Sequence, residues 1–244
     1  MSRNFELLTQ IEHEGGGEDS RPRAATDRTL LTALPSRDAN DAGGDEMLRL
    51  VQRVFLSPTG FAPSQIVFCG VDDENGSSSV CASAGRILAA NTPLSVCLVD
   101  ANLRSPRLAD LFRVNTTTPF SGKLDSMRAH CVQIEENLWL AGTALLSEEN
   151  GSLLPVSELK RRLAQLHGVF EYVLIDAPGT SVCGDAALLG QLVNAAILVI
   201  EANTTRRLTA RKAKDTLDAA GVRLLGTVLH NRSFPIPERL YKTI

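Results

Sequence analysis

Apolar positions along this chain recur in two rhythms, and the places where the rhythm changes outline its architecture. Across residues 45–56, Met47, Leu48, Val51, Val54 and Phe55 fall at helical spacing, with Glu46 and Arg49 three apart on a neighbouring face. An amphipathic helix is predicted there. Beyond it, short runs rich in Val, Ile and Leu at 65–70, 94–99, 171–175, 195–200 and 222–229 alternate with longer helix-compatible stretches at 77–90, near 184–193 and at 205–220, the last closed by Gly221. Ser105-Pro106 opens a short predicted helix, with a cap residue preceding proline in the first turn. Ser157 caps another, whose Leu159, Leu163 and Leu166 line one face and which Gly168 ends. Residues 131–142 are ambiguous, although Leu138-Trp139-Leu140 reads as a short strand. Strands apolar on both faces and separated by helices predict a mostly parallel sheet covered on both sides, an α/β three-layer sandwich.

Composition refines this picture. With 244 residues and 43% hydrophobic content the chain can bury one large domain. Residues 1–44 combine Gly15-Gly16-Gly17, Gly43-Gly44, prolines and charges with little periodicity, and read as a flexible N-terminal arm. The domain is expected over 45–233, followed by a C-terminal tail at 234–244. The formal net charge is -3; residues 1–45 carry nine acids and five arginines, which leaves the remainder close to neutral. No strong nucleic-acid field follows. The five cysteines have no CxxC spacing and read as reduced core residues of a cytosolic protein. No charged-then-apolar leader and no apolar span of about 18 residues is present, so a membrane role is expected only through a partner.

Candidate chemistry concentrates in residues 65–104. The first strand leads into a polar loop in which Gly76 precedes Ser77, Ser78 and Ser79 at the start of a helix. This is the layout of a phosphate-binding loop, where backbone N–H groups converge on phosphate at a helix N-terminus, a lysine adds charge and a hydroxyl holds Mg²⁺. Ser78 stands where the magnesium-binding hydroxyl would be, and Ser77 where the lysine would be. Asp72, Asp73 and Glu74 add three carboxylates that repel an anion unless they are turned to solvent or bound to a metal. A charge-assisted hydrogen bond contributes roughly 1.5–3 kcal/mol, so loss of the lysine alone would weaken nucleotide binding by about 10- to 150-fold. The bland reading is a tight strand-to-helix turn. Two further strands end in aspartate, Asp100 in CLVDANLR and Asp176 in YVLIDAPG. In a parallel sheet both emerge at the C-terminal edge beside the loop, able to hold Mg²⁺ and its waters or simply to cap the next helix.

The segments IVFCGVDDENGSSSV, CLVDANLRSPRLADLF and YVLIDAPG with VCGDAALLGQLVNAAILVIEANTTRR resemble the bacterial tyrosine kinases of the capsular exopolysaccharide family. That family belongs to the deviant-Walker P-loop ATPases, with septum-site and partition proteins as relatives. The resemblance covers about residues 45–244 and implies a P-loop NTPase-like fold. Its Walker A motif PGEGKST falls on residues 73–79, retaining one glycine, Gly76, and the hydroxyls of Ser78 and Ser79. The second Walker motif falls on Asp100, Asn102 and Arg104, with an amide in place of its second carboxylate. The Walker B aspartate is Asp176, and the aspartate of the following helix is Asp185. The oligomerisation motif matches Glu46 and Arg49, but Gln52 replaces its last arginine, which puts a homo-oligomer in doubt.

By resemblance the cofactors are ATP and Mg²⁺, weak or lost here, with Gly76, Ser77, Ser78 and Ser79 as the cofactor-binding residues and Ser78, Asp100 and Asp176 as the metal-binding ones. Asp100, Asp176 and Arg104 are the catalytic candidates in an active protein. Tyr241 is the phosphoacceptor candidate, against simple packing of the tail. The leading expectation is a kinase-like protein of capsule or exopolysaccharide synthesis with a decayed ATP site. It would be cytoplasmic, peripheral at the inner membrane through a polysaccharide co-polymerase or an active kinase paralogue. An active tyrosine kinase or ATPase and a septum-site or partition-type positioning ATPase are the alternatives. The basic residues Arg206, Arg207, Arg211, Lys212 and Lys214 read as a solvated helix face rather than a nucleic-acid surface, since no aromatic residue interleaves with them.

Overall fold

The computed structural model describes residues 4–7, 42–56, 63–73, 75–116 and 124–232. The strands are β1 (Asn4–Leu7), β2 (Gln65–Gly70), β3 (Val96–Asp100), β4 (Cys131–Glu135), β5 (Leu138–Ala141), β6 (Tyr172–Ala177), β7 (Ala196–Glu201) and β8 (Leu224–Arg232). The helices are α1 (Ala42–Val54), α2 (Ser77–Asn91), α3 (Leu108–Phe112), α4 (Val156–Val169), α5 (Asp185–Val193) and α6 (Arg207–Ala219). One sheet takes the strands in the order β1-β8-β7-β2-β6-β3-β5-β4. From β8 to β5 every neighbouring pair is parallel, and the two edge strands, β1 on β8 and β4 on β5, are antiparallel. This is the mostly parallel, P-loop NTPase-like α/β sandwich expected.

Strand periodicity explains the layers. In β2, Val67 and Cys69 enter the core under α4, α5 and α6, while Ile66 and Phe68 enter the core under α1 and α2. The same alternation sends Cys97 and Val99 of β3 to the first core and Val96 and Leu98 to the second. All eight of these side chains are fully buried. An apolar side chain of this kind contributes about 1.5–3 kcal/mol when buried, so both faces must be covered. On α1 the buried stripe is Met47, Leu50, Val51 and Val54.

Several boundaries differ from the sequence expectation for local reasons. The helix expected to open at Ser105-Pro106 begins at Leu108, because its first amides are taken by a side chain from β3 and not by a local cap. In α4 the N-cap is Pro155, Ser157 lies inside the helix, and the helix continues past Gly168 to Val169. The ambiguous stretch is the antiparallel pair β4 and β5. Residues 4–7, inside the expected arm, pair with β8. The rest of that arm apart from 42–44, together with the 234–244 tail and its Tyr241, lies outside the described residues.

Candidate functional site

The site is built on the ends of β2, β3 and β6, three adjacent parallel strands. In the register of β3 with β6, Asp100 lies opposite Asp176, and in that of β2 with β6, Phe68 lies opposite Asp176. Between β2 and α2 the chain turns through Gly76, whose φ of 75° and ψ of 17° put it in the left-handed region. Glycine is required there for a second reason: a Cβ would stand 2.3 Å from the His230 ring at the end of β8. Ser77 and Ser78 follow as the first residues of α2 and are buried, and Ser79 is half-buried.

Asp176 is completely buried, and neither carboxyl oxygen has a hydrogen-bond partner of normal geometry. Burial pushes its pKa up to about 8; the nearby Ser78 and Ser77 hydroxyls and the Arg107 charge oppose the shift, and Asp100 adds to it. Asp100 is also buried, and its pKa is raised to about 6 by the same cause. Unlike Asp176, it is well supplied with donors. One oxygen accepts from the Asn102 amide at 3.3 Å, the other from the Arg107 and Leu108 amides at 3.1 Å each. In this arrangement Asp100 caps α3 from the neighbouring strand end, while Asp176 has only the nearby Ser77 and Ser78 hydroxyls, at no normal hydrogen-bond geometry.

Of the acidic loop residues, Asp72 is exposed and Asp73 half-buried, and both accept hydrogen bonds, while Glu74 lies outside the described residues. Asp72 Oδ1 accepts from the Ser181 hydroxyl at 2.5 Å, and Asp73 Oδ1 accepts from the Gly179 amide at 3.1 Å. Asn75 bridges two ways: its Oδ1 accepts from the Asp72 amide at 2.7 Å, and its Nδ2 donates to Thr205 Oγ1 at 2.8 Å. Arg104 is exposed, close enough to Cys183 to favour its thiolate, although burial raises that thiol overall. Asp185 opens α5 and is half-buried. Among the described residues no group of three or more His, Cys, Asp or Glu side chains is placed to hold a metal ion.

Gly76, Ser77, Ser78 and Asp176 are thus brought together as the sequence suggested, with Asp100 beside them but committed to backbone amides. Asn75, Thr205 and His230 also belong to the site. His230 carries no motif of its own. Its signal is its position at the end of a strand that lies two places from β2 in the sheet.

No protein-family model matches the chain. Among curated proteins it is 28% identical over 138 residues to the tyrosine-protein kinase CpsD of Streptococcus pneumoniae serotype 4, covering 54% of this chain and 61% of that protein. It is 25% identical over 184 residues to the tyrosine-protein kinase YwqD of Bacillus subtilis, covering 69% of this chain and 78% of the relative. Among solved structures, the kinase domain of the Escherichia coli tyrosine kinase ETK superposes with a TM-score of 0.66 at 18% identity, over 80% of each chain. That last likeness concerns the fold. In sequence the chain is thus similar to bacterial tyrosine-protein kinases, and its fold is the P-loop NTPase-like α/β fold of such a kinase domain.

Proposed function

We propose that the chain is a kinase-like protein of capsule or exopolysaccharide synthesis whose ATP site has decayed, and that it acts as a regulator or scaffold. The observation that carries this reading is Ser77 at the lysine position of a loop whose charges are all negative, with Asp72 and Asp73 already hydrogen-bonded within the fold. The metal half of an ATP·Mg²⁺ site fits the residues present: Asp176 is a buried carboxylate with no hydrogen-bond partner of normal geometry, and the Ser78 hydroxyl stands near it. Those two residues would hold Mg²⁺, whose chemistry is to neutralise phosphate charge. The triphosphate half fits poorly, since backbone amides at the start of α2 remain but the fixed cation does not. Phosphoryl transfer suffers at least as much as binding, because the lost charge also stabilises the transition state.

In this role the protein works beside a membrane polysaccharide co-polymerase or an active kinase paralogue. No helix among the described residues is long and apolar enough to cross a membrane, which suits an attachment made through such a partner. Calorimetric titration with ATP·Mg²⁺ tests the reading. Micromolar binding by the wild-type chain, with turnover abolished by Asp176→Asn, overturns it. The retained pair of Asp176 and Ser78 favours one rival, a working tyrosine kinase, which predicts a mass increase of one phosphate on Tyr241 after incubation with ATP.

A further inference from the structure

We infer that Asp73 is the residue that closes this site to phosphate: its carboxylate occupies the Gly179 amide and, with Asp72 on Ser181, clasps the phosphate loop to the loop after β6. The inference rests on the decayed-site reading and names what keeps the site shut.

Four contacts make the clasp. Besides the two carboxylate bonds, the Thr180 amide donates to the Gly70 carbonyl and the Ser181 amide to the Val71 carbonyl, each at 3.0 Å. Residues 70–71 and 180–181 are therefore laced by backbone bonds, and residues 72–73 by side chains. The approach is so close that a Cβ on Gly179 would stand 2.5 Å from the Asp72 carbonyl carbon. Ligands of open α/β sheets bind in the crevice outside the carboxyl ends of the strands, which here is the gap between the β2 and β6 loops. The clasp spans that gap.

The far half of the loop is held as firmly. Asn75 ties it to Thr205, whose Oγ1 also accepts from the Glu201 amide at 3.2 Å, and Gly76 lies against the His230 ring. Side chains thus hold the loop in place on both sides without a phosphate. An anion that draws on the Gly179 amide has to displace Asp73 from it and then remain beside the displaced carboxylate. Repulsion at such separations weakens anion binding on the order of 10-fold, in addition to the loss caused by the missing lysine.

It follows that restoring the lysine is insufficient. ADP·Mg²⁺ binding is to be measured by calorimetry in the wild type, Ser77→Lys, Asp73→Ala and the double variant. Ser77→Lys alone is expected to gain less than about 3-fold, and the double variant at least about 10-fold beyond the product of the two single effects. Amide exchange supplies an independent readout: the Gly179 amide should exchange at least about 10-fold faster in Asp73→Ala, while the β6 amides of Leu174 and Ile175 stay as slow as in the wild type. Additive gains, no binding by the double variant, or an unchanged Gly179 exchange rate would each overturn the inference and leave the decayed-site reading standing. Tight binding by the wild type, seen in the first titration of the series, overturns that reading itself.

Discussion

Asp176 is a fully buried carboxylate with no hydrogen-bond partner of normal geometry, and burying such a group costs free energy. Its folded pKa of about 8 lies far above the ordinary carboxylate value of 3.8, with burial as the leading cause. Between those values the folded chain holds a proton that the unfolded chain has released, so stability is full below about pH 4 and falls as pH rises towards 8. Asp100, raised to about 6, adds to the fall over its lower part. Asp176→Asn removes the ionisation while keeping the shape. It should flatten the decline and raise stability at pH 8 by about 1–4 kcal/mol, read from urea unfolding at pH 5 and pH 8. A decline as steep in the variant as in the wild type would mean that the carboxylate finds a partner in solution. Gly76 makes a second point at this scale. Gly76→Ala should cost roughly 1–3 kcal/mol, from the left-handed backbone and the contact with His230 together. In a His230→Ala background the same change should cost less, since only the backbone part remains, and a double-mutant cycle by chemical unfolding reads the difference.

At the scale of elements, α3 shows how a helix can be positioned by a residue outside it. It has five residues and no side-chain cap of its own, too short to hold together by propensity. Its first amide, that of Leu108, and the preceding amide of Arg107 are anchored by Asp100, eight residues before the helix begins. Asp100→Ala should therefore destabilise the protein by about 1–3 kcal/mol and speed amide exchange across residues 102–112, whereas Asp100→Asn, which keeps an acceptor, should do so less. Equal effects of the two substitutions would argue that the charge, and not the cap, is what matters. The same contact explains what the sequence could and could not disclose. The parallel strands and long helices are legible because their periodicity is local, whereas the antiparallel edge strands β1 and β4 are not, and Ser77, Ser78 and Asp176 converge because strand ends in a parallel sheet converge. The start of α3 is not legible either, because its cap comes from another element. The clasp of Asp73 on Gly179 and the bridge from Asn75 to Thr205 were hidden for the same reason, joining residues 106 and 130 positions apart. In sequence Asp72 and Asp73 read as part of a repulsive cluster; their partners Ser181 and Gly179 turn these two into structural acceptors.

Taken together, the described residues form a sheet covered on both faces with the candidate site at the ends of β2, β3 and β6, and the state of that site should be readable from the stability of the entire chain. A ligand that binds only the folded state stabilises it in proportion to the logarithm of its concentration over its dissociation constant. At 1 mM ATP·Mg²⁺ a site of about 10 μM affinity would add about 2.7 kcal/mol, whereas one of about 1 mM affinity would add only about 0.4 kcal/mol. For a domain of this size each kcal/mol corresponds to about 2–4 °C in Tm, so the intact site would shift melting by about 5–11 °C and the decayed one by less than about 2 °C. The smaller shift is the expected result, the same with ADP as with ATP. Since the clasp already satisfies the loop, removing Mg²⁺ with a chelator should leave Tm unchanged as well. A shift above about 5 °C that disappears in Asp176→Asn would show that the β2, β3 and β6 ends still assemble a nucleotide site, and that the loop opens when the ligand arrives.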